Sequence, residues 1–181
     1  MTAYISQNAF WGLLLSAVEV YKRECFGLLI GYRDRKGPEE MFIVEHAIPF
    51  QTAARRRRTV ASNPRAHKRI EKFLQSIPHL SVIGDFHSHT MWGYSRAASH
   101  PSDTDRESML TDNVYVIVSI NDRLRVVPWK YNDDGSLSGT TDDHHFRLTA
   151  YAAQTDAPAR RVPILCPYAL GFDARPLHAV R

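Results

Sequence analysis

Two histidines, His87 and His89, close an apolar, β-leaning run, Leu80-Ser81-Val82-Ile83-Gly84-Asp85-Phe86. Successive side chains on a strand point to opposite faces, so positions i and i+2 share a face. Two imidazoles on one face at a strand end can bind a single metal ion. Alone, the pair reads more readily as solvated or hydrogen-bonded histidines. A carboxylate downstream and an acidic residue upstream change that balance. Pro101-Ser102 opens a short helical pattern, with Ser102 as N-cap and Asp105 one turn in. Two histidines and a carboxylate suit zinc with one position left for water, the arrangement of catalytic rather than closed structural sites. The acidic residue upstream is Glu24, at the start of the run Cys25-Phe26-Gly27-Leu28-Leu29-Ile30-Gly31.

Taken together, Glu-Cys-x-Gly-Leu-Leu-x-Gly from Glu24, Gly-x-x-His-Ser-His from Gly84 and Pro-Ser-x-x-Asp from Pro101 resemble the JAMM (MPN-positive, JAB/Mov34) metallopeptidases. The resemblance spans roughly residues 9–131, with the zinc-site elements in the family's order. It implies one catalytic zinc ion held by His87, His89 and Asp105. It also implies Glu24 as general acid/base and Ser102 as the residue that helps stabilise the tetrahedral intermediate. The fold it implies is α/β, a mixed β-sheet with flanking helices similar to the cytidine deaminases. The activity it implies is an isopeptidase or peptidase that cleaves the bond after the C-terminus of ubiquitin, a ubiquitin-like protein or a sulfur carrier. A homodimer or a larger assembly is compatible with it.

Two positions depart from the family pattern. Thr90 follows the second histidine where the family has Pro, and twelve residues, 90–101, separate that histidine from Ser102 where the family has seven. Insertions are best tolerated in loops, so the ligands are still expected to converge. The longer segment is expected to alter the substrate groove more than the zinc. Two other readings stand beside the isopeptidase. One is a non-catalytic interaction scaffold, whose family members typically lack part of the metal motif. The other is a zinc hydrolase of a different substrate.

The elements that must position these residues follow from patterning. Phe10, Leu13, Leu14, Ala17 and Val20 recur at helical spacing, predicting a helix over 6–23 capped by Ser6 or Asn8. Residues 24–32 and 40–49 read as an antiparallel hairpin. Asn63 and Pro64 start a second helix to Gln75, with Ala66, Ile70, Phe73 and Leu74 as its apolar face and a basic far side. Strands are expected at 81–89, 114–120, 124–131 and 145–151, a short helix at 102–111, and a turn at Asp133–Ser136. The second of these strands and the third are read as a hairpin. Residues 1–153 form the expected domain, and 154–181 a tail that is either wrapped or mobile.

Composition sets the remaining bounds. A chain of 181 residues with 44% hydrophobic residues can bury one proper core. The net charge of +4 is mild, and solubility alone explains it. Arg55–Arg58 is a run of like charge without interleaved aromatics, which argues against nucleic acid as a partner and for a solvated loop or an acidic substrate surface. Two distant cysteines, Cys25 and Cys166, suggest no disulfide framework and fit a reducing cytoplasm. The chain shows no signal-peptide pattern and no apolar run long enough to span a bilayer, so a cytoplasmic protein without membrane contact is expected.

Overall fold

The structure, a computed structural model, describes residues 1–35, 39–51, 54–55, 60–61, 63–154 and 157–171. Arg56–Arg58, residues 36–38 and residues 172–181 lie outside the described residues.

The chain opens with strand β1, Thr2–Ile5, and helix α1, Gln7–Glu19. Ser6 is the cap of α1: its Oγ accepts from the Ala9 amide and donates to the Glu45 carbonyl, joining helix start to sheet. Strands β2, Phe26–Asp34, and β3, Met41–Pro49, form the expected antiparallel pair. Two short strands, β4 at Ala54–Arg55 and β5 at Val60–Ala61, pair with each other. Helix α2, Pro64–Leu74, starts at Asn63, whose Oδ1 accepts from the amides of Arg65 and Ala66. Strand β6 runs from Ser81 to Thr90, the short helix α3 from Asp103 to Ser108, and strand β7 from Val114 to Asp122. Then come β8, Lys130–Tyr131, β9, Leu137–Thr141, β10, His144–Gln154, β11, Ala157–Val162, β12, Ile164–Leu165, and the single turn α4, Pro167–Leu170.

Among the described residues one mixed sheet carries the molecule, in the order β12-β1-β3-β2-β6-β7-β10-β9-β8, with β11 also on β10. The β6 and β7 strands are parallel, and their register sets His87 beside Ile117 and His89 beside Ser119. One face packs on α1 and α4 through Phe10, Leu13, Leu14, Leu29, Phe86, Val116 and Val118. The other face is covered by α2 over Leu28, Ile30 and Phe50, and Met109 packs on Tyr115, Ile117 and Tyr151 of β7 and β10.

Three expectations fail. Residues 124–131 do not form the hairpin partner of β7; β10 takes that edge, in register from His144↔Asp122 to Ala152↔Val114. The physical reason is local. Arg123 donates its amide to the Asp143 carbonyl, Val127 bonds only to Thr140, and Pro128 has no amide to continue a ladder. Phe73 is 67% exposed and not part of the inward face of α2, which Ala66, Ile70 and Leu74 supply. The helix after Ser102 ends at Ser108, well short of Thr111. Of the expected tail, wrapped or mobile, the described residues 157–162 pair with β10 and 164–165 with β1. No helix among the described residues is long and apolar enough to cross a membrane.

Candidate metal centre

Three segments bring the sequence-predicted residues together. The first is β6. Alternation along this strand puts Asp85, His87 and His89 on the face away from α1, while Phe86 and Ser88 point into the core. Ser88 is fully buried. Its Oγ accepts from the Cys25 amide at 2.8 Å, and its own amide donates to the Cys25 carbonyl at 3.1 Å. The residue between the two histidines thus ties the neighbour of Glu24 to the histidine strand.

The second segment is the turn between α1 and β2. Lys22 takes a left-handed conformation at φ +74°, and the Tyr21 hydroxyl donates to Asp122 Oδ1 at 2.5 Å, so the turn is fastened to the end of β7. Glu24 follows, half-buried.

The third is the start of α3. Ser102 and Asp105 form a reciprocal capping box: the Asp105 amide donates to Ser102 Oγ at 3.2 Å, and the Ser102 amide donates to Asp105 Oδ2 at 2.7 Å. The Ser102 hydroxyl also donates to Oδ2, at 2.7 Å.

The result is a compact donor set. His87 Nε2 and His89 Nε2 are 3.1 Å apart, and Asp105 Oδ2 lies 3.5 Å from the first and 3.7 Å from the second. An ion with ligands at about 2.0–2.2 Å in tetrahedral geometry spaces its donors roughly 3.3–3.6 Å apart. The three observed separations bracket that range, so these residues fit a single small ion with two nitrogens and one oxygen. His100, although near in sequence, is exposed and stands outside the group.

The electrostatics are those of a coupled site. Burial raises the Glu24 carboxyl above its ordinary pKa, against the lowering pull of His89 and His87, and Asp105 adds to the rise. Burial opposes the charged form of Asp105 too, yet the adjacent imidazoles of His87 and His89 and the hydrogen bonds from Ser102 hold it far below the usual carboxylate range. For His89 burial works against the cation, but Asp105, the Ala98 carbonyl and Glu24 outweigh it and raise the pKa. Asp85 sits on the same face without joining the donor set; burial pushes its carboxyl up to about 6, with His87 pulling it down.

Sequence reasoning assigned no role to Ser88, Ser119 or the Ala98 carbonyl. For Ser119 a signal was present, since it interrupts the apolar run of residues 114–120; for Ser88, between two histidines, there was none. A backbone carbonyl leaves no such mark. The long segment divides into two parts. Trp92, Tyr94 and Arg96 are exposed at a tip closed by reciprocal bonds between Trp92 and Ser95, while residues 97–99 are bonded onto the sheet.

Comparison with known proteins accords with this geometry. No curated protein matches the chain. A solution structure of a protein from Desulfitobacterium hafniense is similar with a TM-score of 0.62 at 17% identity, covering 92% of each chain. Another from Salinibacter ruber has a TM-score of 0.51 at 22% identity, covering 91% of this chain and 92% of that one. At these identities the likeness concerns the fold. The mixed sheet with flanking helices is the α/β JAB/MPN-like fold that the resemblance implies. The model of the family described as prokaryotic homologs of the JAB domain matches residues 7–130, more than half of the sequence, and the chain belongs to that family.

Proposed function

We propose that this protein is a zinc-dependent isopeptidase or peptidase that hydrolyses the bond following the C-terminus of ubiquitin or a ubiquitin-like protein. The observation that carries the reading is the convergence of His87, His89 and Asp105, all ligand atoms within 4.8 Å of one another, with the carboxylate of Glu24 coupled to them. Two neutral imidazoles and a carboxylate are the donor set of zinc sites that keep a position open. When bound, zinc acts as a Lewis acid that activates water and polarises a carbonyl.

The remaining steps belong to the chain's own residues. Glu24, with its carboxyl pKa raised by burial, accepts the proton of the attacking water and returns it to the leaving amine as the C–N bond breaks. The Ser102 hydroxyl, exposed at the start of α3 and donating to Asp105 Oδ2 in this structure, turns to donate to the oxygen on which negative charge develops. A cleft of about 330 Å³ beside the site, lined by Pro64, His67, Lys68, Asp85, Asn113 and Tyr115, offers room for an extended chain end. A second groove of about 390 Å³ runs on α2 along Ile48, Phe50, Ile70 and Phe73; of the two, only the first reaches the histidine face, at Asp85, and neither is lined by the donor residues themselves.

Glu24→Gln tests the reading. The variant is expected to keep its zinc and to lose about 10²–10⁴-fold in hydrolysis of a ubiquitin-like C-terminal amide. Cleavage at the wild-type rate contradicts the mechanism.

A further inference from the structure

The lengthened segment between His89 and Ser102 is fastened at three consecutive residues. The Ala97 amide donates to Asn121 Oδ1 at 2.8 Å. The Ala98 carbonyl lies 3.0 Å from His89 Nδ1 and accepts from the Ser119 hydroxyl at 2.6 Å. The Ser99 carbonyl accepts from the hydroxyls of Thr149 at 2.9 Å and Tyr151 at 3.4 Å. Ser119 and Thr149 are 2% and 0% exposed. Buried hydroxyls on otherwise apolar strands need acceptors, and here the long segment provides them.

A carbonyl oxygen can only accept, so the contact with His89 places a hydrogen on Nδ1. In the neutral ring the lone pair is then on Nε2, the nitrogen that faces His87 and Asp105. The partner of one ring nitrogen thus sets what the other can do. Ser119 is paired in register with His89 itself and holds the Ala98 carbonyl at a fixed place.

We infer that Ser119 is a positioning residue of the metal centre: through the Ala98 carbonyl it fixes His89 as the Nδ1–H tautomer, with Nε2 free to bind. The extra length of residues 90–101 then has a role at the metal, where the sequence predicts an effect on the substrate groove. The inference rests on the metal-site reading only for what Nε2 binds; the tautomer exists without the ion.

The test uses the full chain and two readouts. Zinc affinity is measured by competition with a chromophoric chelator in wild type, Ser119→Ala and Ser119→Thr. The ring nitrogens of His89 are observed by ¹⁵N–¹H correlation in the metal-free protein at alkaline pH, where the ring is neutral. Ser119→Ala is expected to weaken zinc by about 10–100-fold and to convert His89 from Nδ1–H to a mixture of tautomers. Ser119→Thr, which keeps the hydroxyl, is expected to restore both. Zinc binding as tight as wild type in Ser119→Ala, with His89 still Nδ1–H, overturns the inference. If Ser119→Ala does not fold, Ser119→Cys, which fills the same place with a weak donor, carries the test: mixed tautomers support the inference and an unchanged ring with wild-type zinc affinity overturns it. If wild type takes no zinc, the metal-site reading falls, and the His89 spectrum alone still decides the role of Ser119.

Discussion

The Asp105 carboxylate serves two structures at once. Its Oδ2 accepts from the amide and hydroxyl of Ser102, which starts α3, and the same oxygen faces both histidines. Helix start and candidate donor set are therefore one arrangement. Asp85 shares the histidine face but no part of that arrangement. Asp105→Ala is expected to abolish zinc binding while Asp85→Ala retains it, measured as zinc per chain by elemental analysis; the reverse pattern would reject the ligand assignment. At this scale the sequence was most legible for residues whose type is itself the message. Two histidines at i and i+2, and a carboxylate three residues after a capping serine, state their chemistry through spacing. Ser88 acts through hydrogen bonds to the distant Cys25 backbone, and the Ala98 carbonyl through bonds to the His89 and Ser119 side chains, partners that residue type does not record.

Elements read well where capping and periodicity agreed. Ser6 and Asn63 cap the helices expected of them, and the β2–β3 and β6 segments lie within two residues of their predicted bounds. Strand pairing read less well, because partners depend on tertiary context. Residues 124–131 have the apolar content of a strand but were broken by Pro128, while the polar stretch Leu137–Thr141 became a buried strand whose Gly139 lets the Trp129 ring lie flat against it. Gly84 marks the tightest element contact near the site. It adopts φ +155° on β6, and a Cβ there would run into the Val114 carbonyl oxygen of β7. Gly84→Ala should therefore destabilise by more than about 3 kcal/mol, a loss typical of backbone strain combined with overpacking. Chemical denaturation would measure it; a change below about 1 kcal/mol would show that β6 and β7 can separate without harm.

At the scale of the molecule, a charged cluster fastens the turn after β8 to β10 and β11, next to β12, whose Ile164 amide donates to the Gly135 carbonyl. Asp134, in the turn after β8, accepts from Arg147 on β10 and Arg161 on β11 and binds Ser136, while Arg161 also donates to the Tyr151 hydroxyl. That chain of contacts reaches Ser99 and so the segment beside the metal centre. Partial burial opposes ionisation of Asp134, but Ser136 and the two arginines hold its pKa down at about 2. A carboxyl depressed below its unfolded value, about 3.9, adds stability above that value, and the contribution is lost as pH falls toward 2. The side chain is 34% exposed, so screening limits the effect to about 1 kcal/mol. Asp134→Asn should lower the melting temperature by about 2–4 °C at neutral pH, with the gap closing in acid; a gap independent of pH would exclude the ion pairs as its cause. The central claim, that this fold assembles a metal centre, is tested most directly by zinc content in protein purified without chelator, wild type beside His87→Ala. The account predicts one equivalent in wild type and none in the variant. No zinc in wild type, or equal zinc in both, contradicts it.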